Sequence, residues 1–501
     1  MSADLAASST VHGLIAARAR FSPDALALVQ GDRRLTYAQM MAEAGRIAAG
    51  LAARGVQRGD RVAVLSENRI EYTLLQLAAA RIGAMVACLN WRLVADELAY
   101  CIDLVAPRLL IASLRHLDLA RSAGGGCTIL PIDGLGAHGD APITGDSEDG
   151  FTILYTSGTT GRPKAAVISQ RAQIARMCAL RIDMGLASED GYISWAPMFH
   201  MGGSEHLFST LLIGGTGVIV DGFQPDAILD ALEEFRIGWL MTVPATTEAL
   251  LERIRTRCPR IQGVKAVGCM ADMVPASVIT EITTLIGAPW LNSFGATETG
   301  MPPLSADLIA PGALPRSLAK KPSVLTELRL VDAEGNDVPD GAVGEVWVRG
   351  PTLFSGYWNN PAVNAECFAG GWFHMGDLFR RTPDGYEFAG RSKYLIKSGG
   401  ENIYPAEIER VILADPRVAD AIVVRRTDSH WGEVPVAVVA RHDDSLDAKA
   451  IDALCRAALA GYKRPRDVVF WPLDQFPRNV SGKILREEVE RRVAQSQTEA
   501  P

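Results

Sequence analysis

Short apolar strands alternating with helically spaced segments limit the first part of this chain more than any other feature. Thr36 to Gly55 places Ala, Ile and Leu at helical intervals, opens on a threonine suited to cap a first turn and closes on a glycine suited to leave the last. Arg61 to Leu65 reads as a strand, Ile70 to Ile82 as a helix and Ala84 to Leu89 as the next strand. The rhythm returns at Tyr192–Trp195, Gly217–Val220, Trp239–Val243 and Val264–Val267, with helical segments between most of them. A parallel strand pair needs a crossover long enough to hold a helix, so this repetition predicts a layered α/β body with largely parallel sheets.

The texture changes after about Leu325. Glu327–Val331 and Gly344–Arg349 alternate as half-exposed strands around turns at Gly335 and Gly341, which predicts a β-rich subdomain. From Tyr394 a compact α+β pattern follows: a helix over Pro405–Leu413, strands at Ala421–Arg425 and Pro435–Ala440, a helix near Leu446–Leu459 and a strand over Asp467–Trp471. The expected domains are therefore residues 1–392, a large N-terminal domain of layered α/β subdomains plus the β-rich subdomain, and residues 393–501, a small C-terminal domain.

Composition narrows the class. With 501 residues, 48% of them hydrophobic, the chain can build a large core, and a net charge of -8 gives no general electrostatic footprint for nucleic acid. The most hydrophobic stretch, Leu211 to Val220, is broken by Gly214, Gly215 and Gly217; it reads as a buried strand and turn, too short to span a membrane. Met1 to Arg20 has no apolar run of the kind a signal peptide needs. The eight cysteines form no C-x-x-C pair and none stands beside a histidine at zinc-ligand spacing, so the expectation is reduced, mostly buried thiols in a cytoplasmic protein. Pairing into a homodimer is left open.

Chemistry concentrates in Tyr155-Thr156-Ser157-Gly158-Thr159-Thr160-Gly161-Arg162-Pro163-Lys164, which follows the apolar strand Phe151–Leu154. Glycines let backbone N–H groups approach phosphate oxygens, hydroxyls add donors and the lysine adds a positive charge. The string is not a Walker loop, because G-x-x-x-x-G-K-[ST] is absent.

With this loop and the motifs that follow it in order, the chain resembles the adenylate-forming superfamily of acyl-CoA synthetases, adenylation domains and luciferases. Its local wording, such as Lys164-Ala165-Ala166-Val167-Ile168 before Gln170-Arg171, is similar to the bacterial aryl- and acyl-CoA ligases. The resemblance implies that Thr156, Ser157, Gly158, Thr159, Thr160 and Lys164 hold ATP phosphates. In Asn292-Ser293-Phe294-Gly295-Ala296-Thr297-Glu298 it implies that Glu298 contacts Mg²⁺, that Thr297 contacts phosphate, and that Phe294 and Gly295 line the adenine site. It assigns Asp377 to the ribose hydroxyls and Arg391 to the nucleotide, and makes Lys393 the hinge about which a mobile C-terminal domain rotates. Gly399 and Gly400 would line the pantetheine tunnel. Lys483 would reach the carboxylate and α-phosphate, His200 would gate the acyl site, and Trp431, Tyr462, Arg464 and Arg466 would hold the coenzyme A nucleotide.

The implied activity is ATP-dependent formation of an acyl-adenylate from a carboxylic acid, medium-chain, alicyclic or aromatic, and its transfer to coenzyme A. An acyl-AMP ligase loading a carrier protein is the alternative. Gly202 and Gly203, with Met201, Met241 and Met270 nearby, suggest a roomy apolar acyl pocket, and no basic residue stands out as a partner for a second carboxylate, with Arg92 left open. Three departures from the family pattern stand out: Ala165 in place of Gly, Phe294 in place of Tyr, and Cys269-Met270-Ala271-Asp272 in place of a Gly/Ala-rich segment ending in Pro.

Overall fold

Thr36 caps the helix that its spacing predicts. Its hydroxyl accepts from the Gln39 amide at 3.2 Å while Gln39 Oε1 accepts from the Thr36 amide at 2.9 Å, and the helix runs over Tyr37–Ala53. Two orphan amides of the first turn are thereby satisfied reciprocally. The computed structural model describes residues 9–139, 141–156, 162–398, 401–428, 430–478 and 482–498.

Two large sheets form the N-terminal body. One runs Ile129–Pro131, Leu109–Ala112, Arg61–Leu65, Met85–Cys88, Gly150–Thr156 and Lys164–Ser169 in spatial order, parallel throughout except for the final pair. The other runs Leu308–Ile309, Trp290–Leu291, Val264–Gly268, Ile237–Met241, Gly191–Ser194, Gly217–Ile219, Leu26–Gln30 and Arg33–Thr36, with antiparallel pairs only at its two edges. The crossover helices Ile70–Arg81 and Met201–Ile213, and Gln170–Met184, which leads from one sheet to the other, are buried along most of their length, as expected where helices cover parallel strands. A four-stranded antiparallel sheet, Glu327–Val331, Val343–Arg349, Phe373–Thr382 and Gly385–Arg391, follows.

The last sheet holds Glu401–Ile403, Ile396–Ser398, Gly432–Arg441, Val418–Asp428 and Asp467–Phe470. Its apolar clusters draw on residues from Ile396 onward, whereas those of the preceding sheets end at Phe388, so the two sets of buried side chains are separate.

Two expectations are corrected. Leu211–Val220 is not one strand and turn: Leu211, Leu212 and Ile213 finish the Met201–Ile213 helix, Gly214 ends it at φ 96°, and only Gly217–Ile219 is strand. A helix buried on all sides lacks the polar face that would have revealed its period. The thiols are not mostly buried either. Cys88, Cys101 and Cys455 are, but Cys127, Cys269 and Cys367 are partly exposed and Cys178 and Cys258 exposed, all eight being free. Among the described residues no helix is long and apolar enough to cross a membrane.

Candidate active site

Gly150–Thr156 and Lys164–Ser169 pair antiparallel with Thr156 opposite Lys164, so the hydroxyl and glycine string is the connection of a strand pair. Ser157, Gly158, Thr159 and Thr160 lie outside the described residues, as do Gly399 and Gly400. Lys164 stands at the foot of this connection with Nζ 4.8 Å from the Tyr357 ring centroid. Tyr357 is carried there by a segment stitched along the edge strand: the Ser355 amide donates to the Val167 carbonyl at 2.8 Å, the Val167 amide to Gly356 at 3.0 Å and the Trp358 amide to Ala165 at 2.7 Å.

The Tyr357 hydroxyl donates to Glu298 Oε1 at 2.7 Å, and the Phe354 amide to the Glu298 carbonyl at 2.8 Å. Thr297 and Glu298 sit between the paired strands Gly295–Ala296 and Gly300–Pro303. A side chain at Gly295 would place its Cβ 2.1 Å from the Gly300 carbonyl oxygen, so glycine is required by the closeness of the two backbones. Phe294 lies largely buried, its ring edge-on to Phe379 at 4.7 Å and tilted toward Phe388 at 5.9 Å. It is a member of this aromatic cluster, which needs no phenol.

Asp377 and Arg391 face each other across an antiparallel pair and make a two-pronged contact, Nε to Oδ1 at 2.9 Å and Nη2 to Oδ2 at 3.2 Å. Burial raises the Asp377 pKa against the opposing pull of Arg391 and, more weakly, of Lys483, while the Asp377 charge raises that of Arg391. Lys483 comes from the far end of the chain. Lys483 is exposed over its surface as a whole, yet desolvation of the ammonium and the Arg391 charge lower its pKa, with Asp377 opposing. The terminal segment thus brings Lys483 into the electrostatic neighbourhood of Asp377 and Arg391.

At the junction of the two bodies, Lys393 Nζ pairs with Glu487 at 3.0 Å and stands 4.6 Å from the Tyr394 ring centroid, and Arg486 stacks over the same ring at 5.1 Å. Of the four candidates for the coenzyme A nucleotide, the structure joins Arg466 to Trp431, with the guanidinium 5.5 Å from the indole centroid. Trp431 and Tyr462 are exposed, and Arg464 turns toward Asp452 at 3.6 Å.

His200 is the N-cap residue of the Met201–Ile213 helix, where burial and the nearby Arg92 charge lower its pKa to about 4; its buried Nε2 has no hydrogen-bond partner among the described residues. Arg92 lies 4.9 Å from the Trp91 ring centroid and 6.0 Å from that of Phe199. The two glycines after the histidine do not signal open space. A Cβ on Gly202 would meet Met241 Sδ at 2.8 Å, and one on Gly203 would meet the Pro197 carbonyl oxygen at 2.3 Å. They let this helix pack closely, so the two glycines themselves are no sign of open space. Cys269–Asp272 is likewise fixed: the Cys269 carbonyl accepts from Trp290 Nε1 at 2.9 Å, the Ala271 amide donates to Asn292 at 3.1 Å, and Asp272 pairs with the buried Lys320.

The family described as AMP-binding enzyme matches residues 15–358, and the AMP-binding enzyme C-terminal domain matches residues 407–483. The chain belongs to this family. Among its relatives are a feruloyl-CoA synthase from Amycolatopsis, 36% identical over 95% of this chain and 97% of that protein, and an indoleacetate–CoA ligase from Aromatoleum aromaticum, 35% identical over 95% and 96%. The o-succinylbenzoate-CoA synthetase of Bacillus subtilis, solved with its acyl-adenylate intermediate, superposes with a TM-score of 0.85 at 28% identity, covering 97% of this chain and 99% of that one. This AMP-binding enzyme is an AMP-forming acyl-CoA ligase, an acid–thiol ligase in reaction type.

Tyr357 is the residue of this ligase that the sequence reading missed. It is 59 positions from Glu298, no spacing rule links the two, and only the pairing of residues 355–358 with the strand after the loop brings them together.

Proposed function

We propose that this ligase activates an aromatic monocarboxylic acid with ATP and Mg²⁺ and transfers the acyl group to the thiol of coenzyme A. The observation that carries the reading is the two-pronged Asp377–Arg391 contact, at 2.9 and 3.2 Å, whose charges reach Lys483 from the far end of the chain. A cation delivered there suits a reaction in which the acid's carboxylate attacks the α-phosphorus of ATP and pyrophosphate departs. Asp377 and Arg391 hold the ribose and nucleotide, while Thr156 and Lys164, with Ser157, Gly158, Thr159 and Thr160 of the same loop, hold the phosphates.

Glu298 is the carboxylate assigned to the metal, and among the described residues no group of three or more His, Cys, Asp or Glu could hold a metal by itself. That donor set fits Mg²⁺, which takes its remaining ligands from phosphate oxygens and water. When bound, the ion neutralises phosphate charge. The chain's own part is to present Glu298, steadied by Tyr357, beside Thr297.

The thioester step needs no protein nucleophile, because the mixed anhydride is already activated. Rotation about Lys393 withdraws Lys483 and brings Gly399, Gly400 and the Trp431–Arg466 face toward the acyl-adenylate, with Tyr462 and Arg464 on the same domain. His200, neutral over the working pH range, gates the acyl site. Support for an aromatic acid comes from the relatives named for feruloyl-CoA, indoleacetate and o-succinylbenzoate, and from the cluster of rings Trp91, Phe199 and His200. Free thiols fit a cytoplasmic setting.

The test is pyrophosphate release and coenzyme A consumption across a panel of cinnamic, indolic, benzoic, alicyclic and medium-chain acids. Aromatic acids should give the highest kcat/KM. Turnover only with a carrier protein, and none with free coenzyme A, would replace the acceptor assignment; preference for aliphatic acids would replace the substrate class.

A further inference from the structure

Arg176 lies on the Gln170–Met184 helix with its side chain fully buried, one helix away from Glu205, which is 3% exposed on Met201–Ile213. Nη1 donates to Glu205 Oε2 at 2.8 Å, and the other carboxylate oxygen accepts from the Met301 amide at 3.4 Å. The remaining donors of the fork reach three backbone carbonyls: Nε reaches Thr352 at 2.8 Å, and Nη2 reaches Thr297 at 3.2 Å and Glu298 at 3.0 Å. The turn is moulded to this side chain. Gly300 has φ 73°, and a Cβ there would lie 2.5 Å from Arg176 Cδ.

Burying an ion pair is costly, and apolar side chains of similar volume often serve stability as well or better. What an apolar side chain cannot do is hold carbonyls. The planar guanidinium can bind several acceptors at fixed angles, whereas an ammonium offers three donors on one atom. The Glu298 carbonyl accepts from both Arg176 and Phe354, so its peptide is held on both lone pairs, while Tyr357 holds the same residue's carboxylate. Two independent sets of contacts therefore fix the residue assigned to the metal, one at its backbone and one at its side chain.

We propose that Arg176, neutralised by Glu205, is a positioning residue that sets the Thr297–Glu298 backbone so that hydroxyl and carboxylate meet the Mg²⁺-bound triphosphate. The proposal rests on the assignment of Glu298 as the metal contact. Arg176 touches no substrate; it acts through the peptide groups of the two residues that do.

The experiment compares R176K, E205Q and E298Q with the parent. R176K keeps a cation beside Glu205 but cannot span the three carbonyls. Its acid-dependent pyrophosphate release should fall by about 10- to 100-fold, as expected for a slight misplacement of catalytic groups. In the absence of acid, the Mg²⁺ concentration that half-saturates binding of a non-hydrolysable ATP analogue, read by calorimetry, should rise roughly tenfold. Conversion of synthetic acyl-AMP to thioester should stay near the parental rate, with thermal melting showing a folded enzyme. E205Q should shift the Mg²⁺ response in the same direction by less, and it provides the test should R176K fold poorly. Equal loss of both half-reactions with an unmoved Mg²⁺ response in R176K and E205Q, beside a moved one in E298Q, overturns the positioning role. An unmoved response in E298Q overturns the metal assignment itself.

Discussion

The hydroxyl of Tyr357 donates to Glu298 Oε1 at 2.7 Å while its ring faces the Lys164 ammonium at 4.8 Å, so one side chain touches both the carboxylate and the loop lysine of the site. Burial and the Glu298 charge raise the phenol's pKa, which keeps it a donor throughout the working range. A hydrogen bond to a charged group contributes about 1.5–3 kcal/mol, which corresponds to roughly 10- to 100-fold. Y357F should therefore slow acid-dependent pyrophosphate release by about tenfold while leaving the thioester step from acyl-AMP near parental. Stopped-flow measurement of the two half-reactions checks this, and an equal effect on both would remove Tyr357 from the adenylating site.

Lys483 carries a sharper prediction, because its pKa is lowered by desolvation and by Arg391. K483A should cut adenylation by about 10²- to 10³-fold and spare the conversion of acyl-AMP. Since the ammonium is the useful form, adenylation should decline on the alkaline side at a pH below the usual lysine range. K483R should push that limb upward, while the thioester half-reaction should show no such limb in either protein. A parental alkaline limb unchanged in K483R contradicts the assignment.

The parts of this site legible in the sequence are those whose neighbours are close in the chain. The Thr36 cap and the Pro405–Leu413 helix follow from local spacing and match the structure closely, and the strand read over Phe151–Leu154 is there but extends over Gly150–Thr156. Leu211–Ile213 did not, because its helix is buried on nearly every side, polar residues included, and shows no clear apolar face. Gly202 and Gly203 showed that small residues can mean tight packing as readily as empty space, and only the positions of Met241 and Pro197 decide which. Tyr357 and Arg176 reach Glu298 from distant segments through contacts that sheet pairing and helix packing create, and no pattern in the sequence announces such meetings.

Histidines held away from water should make the enzyme less stable in acid. Burial lowers His12 and His200 to about 4 and His206 to about 3, with Arg81 adding to the effect at His12 and Arg92 at His200. An unfolded imidazole titrates near about 6.5. Below that value the unfolded chain binds protons that the folded one refuses, so stability is full above it and falls as pH drops toward 4 and below. Each histidine contributes a slope of about 1.4 kcal/mol per pH unit within this window. Urea unfolding at pH 7, 6 and 5 should show the decline, and H206F, which keeps a ring between Tyr192 and Trp239, should reduce its slope. An identical slope in H206F would mean that His206 charges freely in the folded protein.

The junction at Lys393 makes the last prediction. Its ammonium pairs with Glu487 of the terminal helix at 3.0 Å, and Arg486 beside that glutamate stacks on Tyr394, so residues 393–394 and the helix that follows Lys483 are tied together. The proposed rotation about Lys393 would change backbone angles at the junction, and a proline there fixes φ at about -65° and removes an N–H. K393P should leave pyrophosphate release within about threefold of parental, since the adenylating arrangement needs no rotation, and slow the thioester step by about 10-fold or more. E487Q removes only the ion pair and should leave the hinge backbone free, with the thioester step at or above the parental rate. Single-turnover measurements with synthetic acyl-AMP separate the two variants. A normal thioester rate in K393P would place the pivot elsewhere in the junction, and a slowed one in E487Q would make the ion pair itself part of the second arrangement.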